Sequence, residues 1–333
     1  MLVLNQSEVN QLLPMGACID VMASALATLA RGDAVLPLRT VLVYPDGTGA
    51  FAVMPAYLGT PKTVGAKVVT VVPGNHGTEF DSHQGAVLLF DSNNGSLVAI
   101  LDATPVTAIR TAAVSGVATR ELARENASSL AILGSGVQAF THLEAMCAVR
   151  PIKTLRVYSR NRANCQRFAD VAREKFNLDA SVASSGEDAV RNADIICTTT
   201  SSSEPVLFGD WVSPGAHINA VGSSQRTARE LDSAAVIRSR LYVDRRESAL
   251  NESGDMLVPL KAGDITPDHI VGEIGDLLIG RAPRRGNDQE ITLFNSLGLA
   301  IEDLAAASYV YDQAVRRGIG TNVALGGARS AAH

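Results

Sequence analysis

The chain is poor in the features that would announce several common functions. Aromatic residues make up 5% of its 333 residues, too few for platforms on which nucleic-acid bases stack. Lys and Arg number 29 against 34 Asp and Glu, a formal charge of −5. No basic run tracks a phosphate backbone, so nucleic acid is not an expected partner. The most apolar runs, such as residues 127–133 and 297–301, fall far short of the ~20 residues of a membrane helix. The opening stretch has no basic segment leading into an apolar one, so neither a secretory signal nor a membrane is expected. Cys18, Cys147, Cys165 and Cys197 lie far apart with no C-x-x-C pair, as suits reduced thiols in a cytoplasmic protein. His76, His83, His142, His217, His269 and His333 include no pair at metal-ligand spacing and no H-E-x-x-H, so no metal is expected.

What is present is core material. Hydrophobic residues reach 46% and charged ones only 19%, and the length calls for two domains or one large α/β unit. The first 30 residues read as helix, with Ser7 as a possible cap and Pro14 in the first turn of a second helix over 15–31. Gly32 stops it. Strands are expected at 38–44, 50–57, 64–72, 86–90 and 97–101, with turn signals Pro45-Asp46-Gly47 and Asn93-Asn94-Gly95 between them. Strands joined this closely form an antiparallel or mixed sheet.

The texture changes after a long helix at 104–126. Short apolar runs at 130–133, 155–158, 195–199, 217–221 and 241–243 then alternate with helical or loop stretches, including helices at 137–149 and 162–176. That alternation means βαβ crossovers and a doubly wound parallel sheet. A last helix, 299–317, is long enough to pack back on the first region.

The most informative stretch is Leu130-Ala131-Ile132-Leu133-Gly134-Ser135-Gly136-Val137-Gln138-Ala139. It is a G-x-G-x-x-A turn directly after a buried strand and before a helix. Gly134 permits the tight turn, Gly136 lets the backbone approach a pyrophosphate, and the N–H groups of Val137 and Gln138 open the helix toward it. The next strand ends in Tyr158-Ser159-Arg160-Asn161-Arg162. An NAD site usually carries an acid there; Ser159 and Arg160 instead suit a 2′-phosphate, so NADP(H) is favoured and NAD(H) remains possible. Thr198 and Thr199 end another parallel strand, at the edge where such folds place ligands.

Three cations sit among apolar or uncharged neighbours: Arg39, Lys67 and Arg110. An unpaired charge inside a two-sided sheet is costly, so each either snorkels at an edge or faces a polar cleft. Together they suggest a cationic pocket for a carboxylate, in which Lys67 has a lowered pKa and exchanges a proton. His83 precedes a strand and is a further candidate for the cleft. No G-x-S-x-G elbow or triad is present.

Several blocks resemble the ornithine cyclodeaminase/μ-crystallin family over nearly the whole chain. They are Met54-Pro55-Ala56-Tyr57, Gly65-Ala66-Lys67, Leu101-Asp102-Ala103, Thr107-Ala108-Ile109-Arg110-Thr111-Ala112-Ala113, the Gly134–Ala139 turn, Asn219-Ala220-Val221-Gly222, Gly272-Glu273-Ile274-Gly275-Asp276 and Ser296-Leu297-Gly298-Leu299-Ala300-Ile301-Glu302-Asp303. The resemblance implies a homodimer, with a substrate-binding and dimerisation domain of mixed sheet at 1–112 and 312–333 and an inserted Rossmann domain at 113–311. It further implies Lys67 as acid/base, Arg39 and Arg110 on the substrate carboxylate, and Arg110 and Thr111 on the cofactor phosphates. Thr198, Thr199, Gly222 and Ser296 would lie near the nicotinamide half.

The family holds cyclodeaminases, imine reductases and amino-acid dehydrogenases. Its cyclodeaminases carry an Asp two residues after the Val-Gly, where this chain has Ser224. The expected activity is therefore NAD(P)H-dependent reduction of a small α-imino acid. Cyclic ketimines such as Δ1-pyrroline-2-carboxylate or Δ1-piperideine-2-carboxylate come first, and an open imine such as iminosuccinate second. The alternatives are an amino-acid dehydrogenase or cyclodeaminase with bound NAD, and a non-catalytic NADPH-binding protein of the μ-crystallin type.

Overall fold

The computed structural model describes residues 1–75 and 77–325. The expectations for His76 and His333 lie outside the described residues. The chain divides into two compact units, one made of Met1–Arg110 with the segment from Leu299 onward, the other of Thr111–Gly298. The boundaries thus fall after 110 and 298, not after 112 and 311. The helix Ala300–Arg317 explains the larger difference. It packs along its length on the strands Ala50–Leu58, Thr63–Val71 and His83–Phe90 and on the helix Met15–Ala30, so all of it belongs to the first unit.

In the first unit the sheet runs in the order Thr321–Asn322, Leu2–Leu4, Leu97–Asp102, His83–Phe90, Thr63–Val71, Ala50–Leu58, Ala34–Val35, with Thr40–Val43 also paired to Ala50–Leu58. Leu2–Leu4 lies parallel to Leu97–Asp102 and the other pairings are antiparallel, so the sheet is mixed. Along Ala50–Leu58 the residues Ala52, Met54, Ala56 and Leu58 alternate into the core, the period of a strand buried on one face. On the covering helix Ile301, Leu304, Ala305 and Ala306 are all buried. It ends at Gly318, where φ is 66°, a left-handed stop that glycine adopts readily.

Two local expectations at the N-terminus change. Residues Leu2–Leu4 form a strand and not helix. The first helix, Gln6–Leu12, is capped by Asn5 and not Ser7. Asn5 accepts from the Glu8 N–H while the Glu8 carboxylate accepts from the Asn5 N–H, a reciprocal box that satisfies two end donors.

The second unit is a parallel sheet in the order Asp179–Val182, Thr154–Tyr158, Ser129–Leu133, Ile195–Thr198, His217–Ala220, Ile291–Asn295, Ser239–Val243, Ile270–Glu273. The strands Ser129–Leu133, Ile195–Thr198, His217–Ala220 and Ile291–Asn295 are almost wholly buried, as expected where helices cover both faces. Strand order reverses between Ser129–Leu133 and Ile195–Thr198, so the crevice of a doubly wound sheet opens beyond their carboxyl ends. The fold is α/β: a Rossmann-type unit inserted into an α+β unit with a mixed sheet.

Candidate active site

The glycine-rich turn and the neighbouring strand ends belong to the second unit. Gly134, Ser159, Thr198, Gly222 and Ser296 all stand at or just past the carboxyl ends of parallel strands, so topology gathers them on one edge of the sheet. The helix Val137–Val149 starts at Gly136 with no side-chain cap, which leaves the N–H groups of Val137 and Gln138 at an open helix end. Gly134 has φ 127°, and a Cβ there would sit 2.5 Å from Thr199 Oγ1 and 2.7 Å from its carbonyl oxygen. Around Gly136, by contrast, a Cβ would meet nothing within 4 Å. The first glycine is therefore required by packing against Thr199, and the second leaves an uncrowded approach to the backbone. Ser296 adds a buried hydroxyl with no hydrogen-bond partner among the described residues. These features fit a bound dinucleotide: an open helix end for the pyrophosphate and a spare buried hydroxyl for polar ring substituents.

At the end of the second strand, Ser159 Oγ lies 2.7 Å from Ser135 Oγ, so the glycine-rich turn and the loop after that strand touch. Arg160 and Arg162 are exposed. The remaining described histidines are used structurally. His142 Nε2 is 2.9 Å from Ser115 Oγ, His217 Nδ1 is 2.9 Å from Thr292 Oγ1, and His269 Nε2 is 2.9 Å from the Val236 carbonyl.

The cation cluster belongs to the first unit. Lys67 occupies an inward position of Thr63–Val71, where Thr63, Gly65 and Lys67 are successively buried. Its ammonium neither snorkels nor stands alone: Nζ lies 2.7 Å from Asp303 Oδ2. Arg110 donates from Nε to Asp303 Oδ1 at 2.8 Å and from Nη1 to Glu302 Oε2 at 2.9 Å. Both carboxylates are fully buried in the first turn of Ala300–Arg317. Glu302 also caps that helix, accepting from the Leu299 N–H at 3.0 Å.

Burial is the main force pulling the Lys67 ammonium down to a pKa of about 8. Asp303 opposes it, while the positive charges of Arg110 and Arg39 add to it. For Asp303, burial pushes upward, yet the charges of Arg110 and Lys67 hold the carboxyl below its usual range. His83 is lowered by burial and by the charge of Lys67, against the pull of Asp81. It begins the neighbouring strand, opposite Val71, and shares a sheet face with Lys67. Arg39, Lys67, His83 and Arg110 are thus near enough to act on one another in a chain of charge interactions. Thr111 follows Arg110 on the helix Ala103–Leu122 and is buried.

Sequence reasoning had no role for Glu302 and Asp303, although both lie in a quoted block, and none for Glu230 or Asp255. The available signal was an acidic pair set into an otherwise apolar stretch, Leu299-Ala300-Ile301-Glu302-Asp303-Leu304. Charged residues there need buried partners.

A glycine-turn Rossmann unit joined to a unit with a buried lysine–carboxylate–arginine cluster defines a dinucleotide-binding protein of the oxidoreductase kind. The chain belongs to the ornithine cyclodeaminase/mu-crystallin family, which it matches over residues 1–318. It is 43% identical over 297 residues to the ketimine reductase mu-crystallin of Mus musculus, covering 88% of this chain and 91% of that one. With the Delta(1)-pyrroline-2-carboxylate reductase of Bacillus cereus it shares 39% identity over 324 residues, 97% of this chain and 99% of the relative. Among solved structures, the Thermococcus litoralis Delta(1)-pyrroline-2-carboxylate reductase, in complex with NADH and L-proline, superposes with a TM-score of 0.95 at 40% identity. That match covers 97% of this chain and 100% of the other.

Proposed function

We propose that the protein is a nicotinamide-dependent oxidoreductase that reduces the C=N bond of a small α-imino acid to the L-amino acid, with a cyclic ketimine as the preferred substrate. The observation that carries the reading is the buried Lys67 ammonium, clamped 2.7 Å from Asp303 and lowered to a pKa of about 8. An imine accepts hydride at carbon more readily when its nitrogen is protonated. An acid with a pKa just above neutrality is charged at pH 7 and yet gives up its proton easily. The reduced nicotinamide, when bound, supplies the hydride. Lys67 gives a proton from Nζ to the imine nitrogen and regains one from solvent. Asp303 stabilises the charged amine before transfer. Arg39 and Arg110 bring guanidinium charge beside Lys67 to align the substrate carboxylate.

Three finer readings accompany this. NADPH is the favoured reductant, because Ser159 and the exposed Arg160 stand where an acid would repel a 2′-phosphate. A homodimer is supported by the strand Thr40–Val43, whose Val41, Leu42 and Val43 are 48%, 58% and 66% exposed, an apolar edge that a second copy would cover. A cytoplasmic setting suits the free thiols at all four cysteines. Ser224 in place of the cyclodeaminase Asp weighs against deamination.

The test is a substrate panel. Oxidation of NADPH and of NADH is followed with Δ1-pyrroline-2-carboxylate, Δ1-piperideine-2-carboxylate, iminosuccinate, and 2-oxo acids with amines. Turnover of cyclic imines is expected, with kcat lost in Lys67→Met while cofactor still binds. Near wild-type kcat in Lys67→Met removes the lysine from the chemistry, and cofactor binding without turnover of any imine overturns the enzymatic reading.

A further inference from the structure

The second unit holds a fully buried carboxylate that the chemistry above does not use. Glu230 follows the loop after His217–Ala220, and no Lys, Arg or His lies within ion-pair distance of it among the described residues. Its oxygens are instead shared between two segments. Oε1 accepts from the Thr200 N–H at 2.6 Å and the Thr200 hydroxyl at 2.7 Å. Oε2 accepts from the Thr198 hydroxyl at 2.7 Å and the Gly222 N–H at 2.7 Å. One carboxylate thus joins the carboxyl ends of two neighbouring parallel strands, Ile195–Thr198 and His217–Ala220. The joined segments are in hard contact: a Cβ on Gly222 would lie 2.0 Å from the Thr200 carbonyl oxygen and 2.7 Å from Glu230 Cδ. A second buried acid holds the strut from behind, since Asp255 Oδ1 accepts from the N–H groups of Glu230 and Leu231 at 2.8 and 2.9 Å.

In a doubly wound sheet the pyrophosphate lies at the first strand–helix turn and the adenosine ribose at the end of the second strand. Those places are Gly134–Val137 and Ser159 here. The other nucleotide must then lie on the far side of the switch point, over the ends of Ile195–Thr198 and His217–Ala220. We infer that Glu230 is a positioning residue for the nicotinamide half of the cofactor: it fixes the two strand-end segments on which that half rests, without touching it. Burial raises the pKa of the Glu230 carboxyl, and the four donors act against that rise; the donors are therefore matched to a carboxylate, which can only accept. Glutamine keeps the volume but must turn its NH2 toward one pair of donors, which releases either Thr200 or Gly222.

The inference rests on the dinucleotide reading of the Gly134 turn and not on imine chemistry, so its test measures binding only. Affinities of wild type and Glu230→Gln are compared for the whole reduced dinucleotide, using whichever of NADPH and NADH wild type binds more tightly, and for ADP-ribose or its 2′-phosphate. The expected result is a split: Kd for the whole dinucleotide rises about tenfold or more, while Kd for the adenosine fragment changes less than twofold. Equal change in both, or change in neither, overturns the inference. If wild type binds neither dinucleotide, the dinucleotide reading of the Gly134 turn falls as well, a distinct result. Should Glu230→Gln not fold, Thr200→Val removes one outer donor and is expected to give the same split at smaller size; its absence there is refuting too.

Discussion

Replacing Asp303 with Asn tests the proton chemistry at its source. Lys67 is held at a pKa of about 8 by burial and by the charges of Arg110 and Arg39, against the pull of Asp303. The ammonium–carboxylate contact of 2.7 Å is charge-assisted, and such bonds contribute about 1.5–3 kcal/mol. At ~1.4 kcal/mol per pKa unit, its loss lowers the Lys67 pKa by about one to two units. The sign is fixed: the acid is competent below its pKa, so kcat/KM falls as pH rises through that value. In wild type the descending limb lies near pH 8, and in Asp303→Asn it moves to roughly pH 6–7. The variant then loses roughly 3- to 25-fold at pH 7.5 but less than about twofold at pH 5.5. The assay is kcat/KM for imine reduction against pH at saturating reduced cofactor, with cofactor affinity as the check on folding. A descending limb that stays at the wild-type pH, in a folded variant, refutes the role given to Asp303. A uniform loss at every pH makes it a structural residue only.

Three other outcomes are expected. Ser159→Asp combined with Arg160→Ala moves the ratio of kcat/KM values toward NADH by about tenfold or more, since a carboxylate repels the 2′-phosphate and a guanidinium partner is gone; an unchanged ratio misplaces the ribose contact. Gly134→Ala weakens dinucleotide binding at least tenfold by titration, because its Cβ would meet Thr199 Oγ1 at 2.5 Å on a backbone with φ 127°. Burial lowers the pKa of His142 to about 4 and of His217 to about 3, so between pH 6.5 and 4 the unfolded chain takes up protons that the folded chain refuses. Stability is therefore full above pH 6.5 and falls on acidification through that window; His142→Gln flattens the fall in Tm between pH 7 and 5, and an unaltered slope contradicts the assignment.

Local signals were legible because each needs only neighbours in sequence. The helices Val137–Val149 and Arg162–Phe176 begin and end where the residues indicate, since the Gly134–Gly136 turn opens the first and Asn161 caps the second. Asn177, at φ 53°, closes it. The competition between Asn5 and Ser7 was not legible, since both are good caps, and the reciprocal bond of Glu8 to Asn5 decided it. Leu2–Leu4 failed for another reason: three residues become a strand only through pairing with Leu97–Asp102 and Thr321–Asn322.

The same distinction governs the site. Lys67 and Arg110 stood out because a charge in an apolar segment requires a partner, but that requirement does not say where the partner is. Asp303 lies 193 positions beyond Arg110, so only the fold of the last helix onto the sheet joins them. The requirement nevertheless runs both ways. Glu302 and Asp303 sit between Ile301 and Leu304 on a helix whose first half is buried, and acids there are as costly alone as the cations are. Two sets of uncompensated opposite charges in one buried layer have a single economical arrangement, in which each neutralises the other. Glu230 follows a different rule, since it has no cation partner among the described residues, and its partners are hydroxyls and backbone N–H groups at and beyond the strand ends. Such a site leaves almost no mark in sequence, because every residue except proline provides an N–H. A buried acid without a cation therefore points to a backbone that has to be held in one shape, and here that backbone is the edge of the sheet assigned to the cofactor.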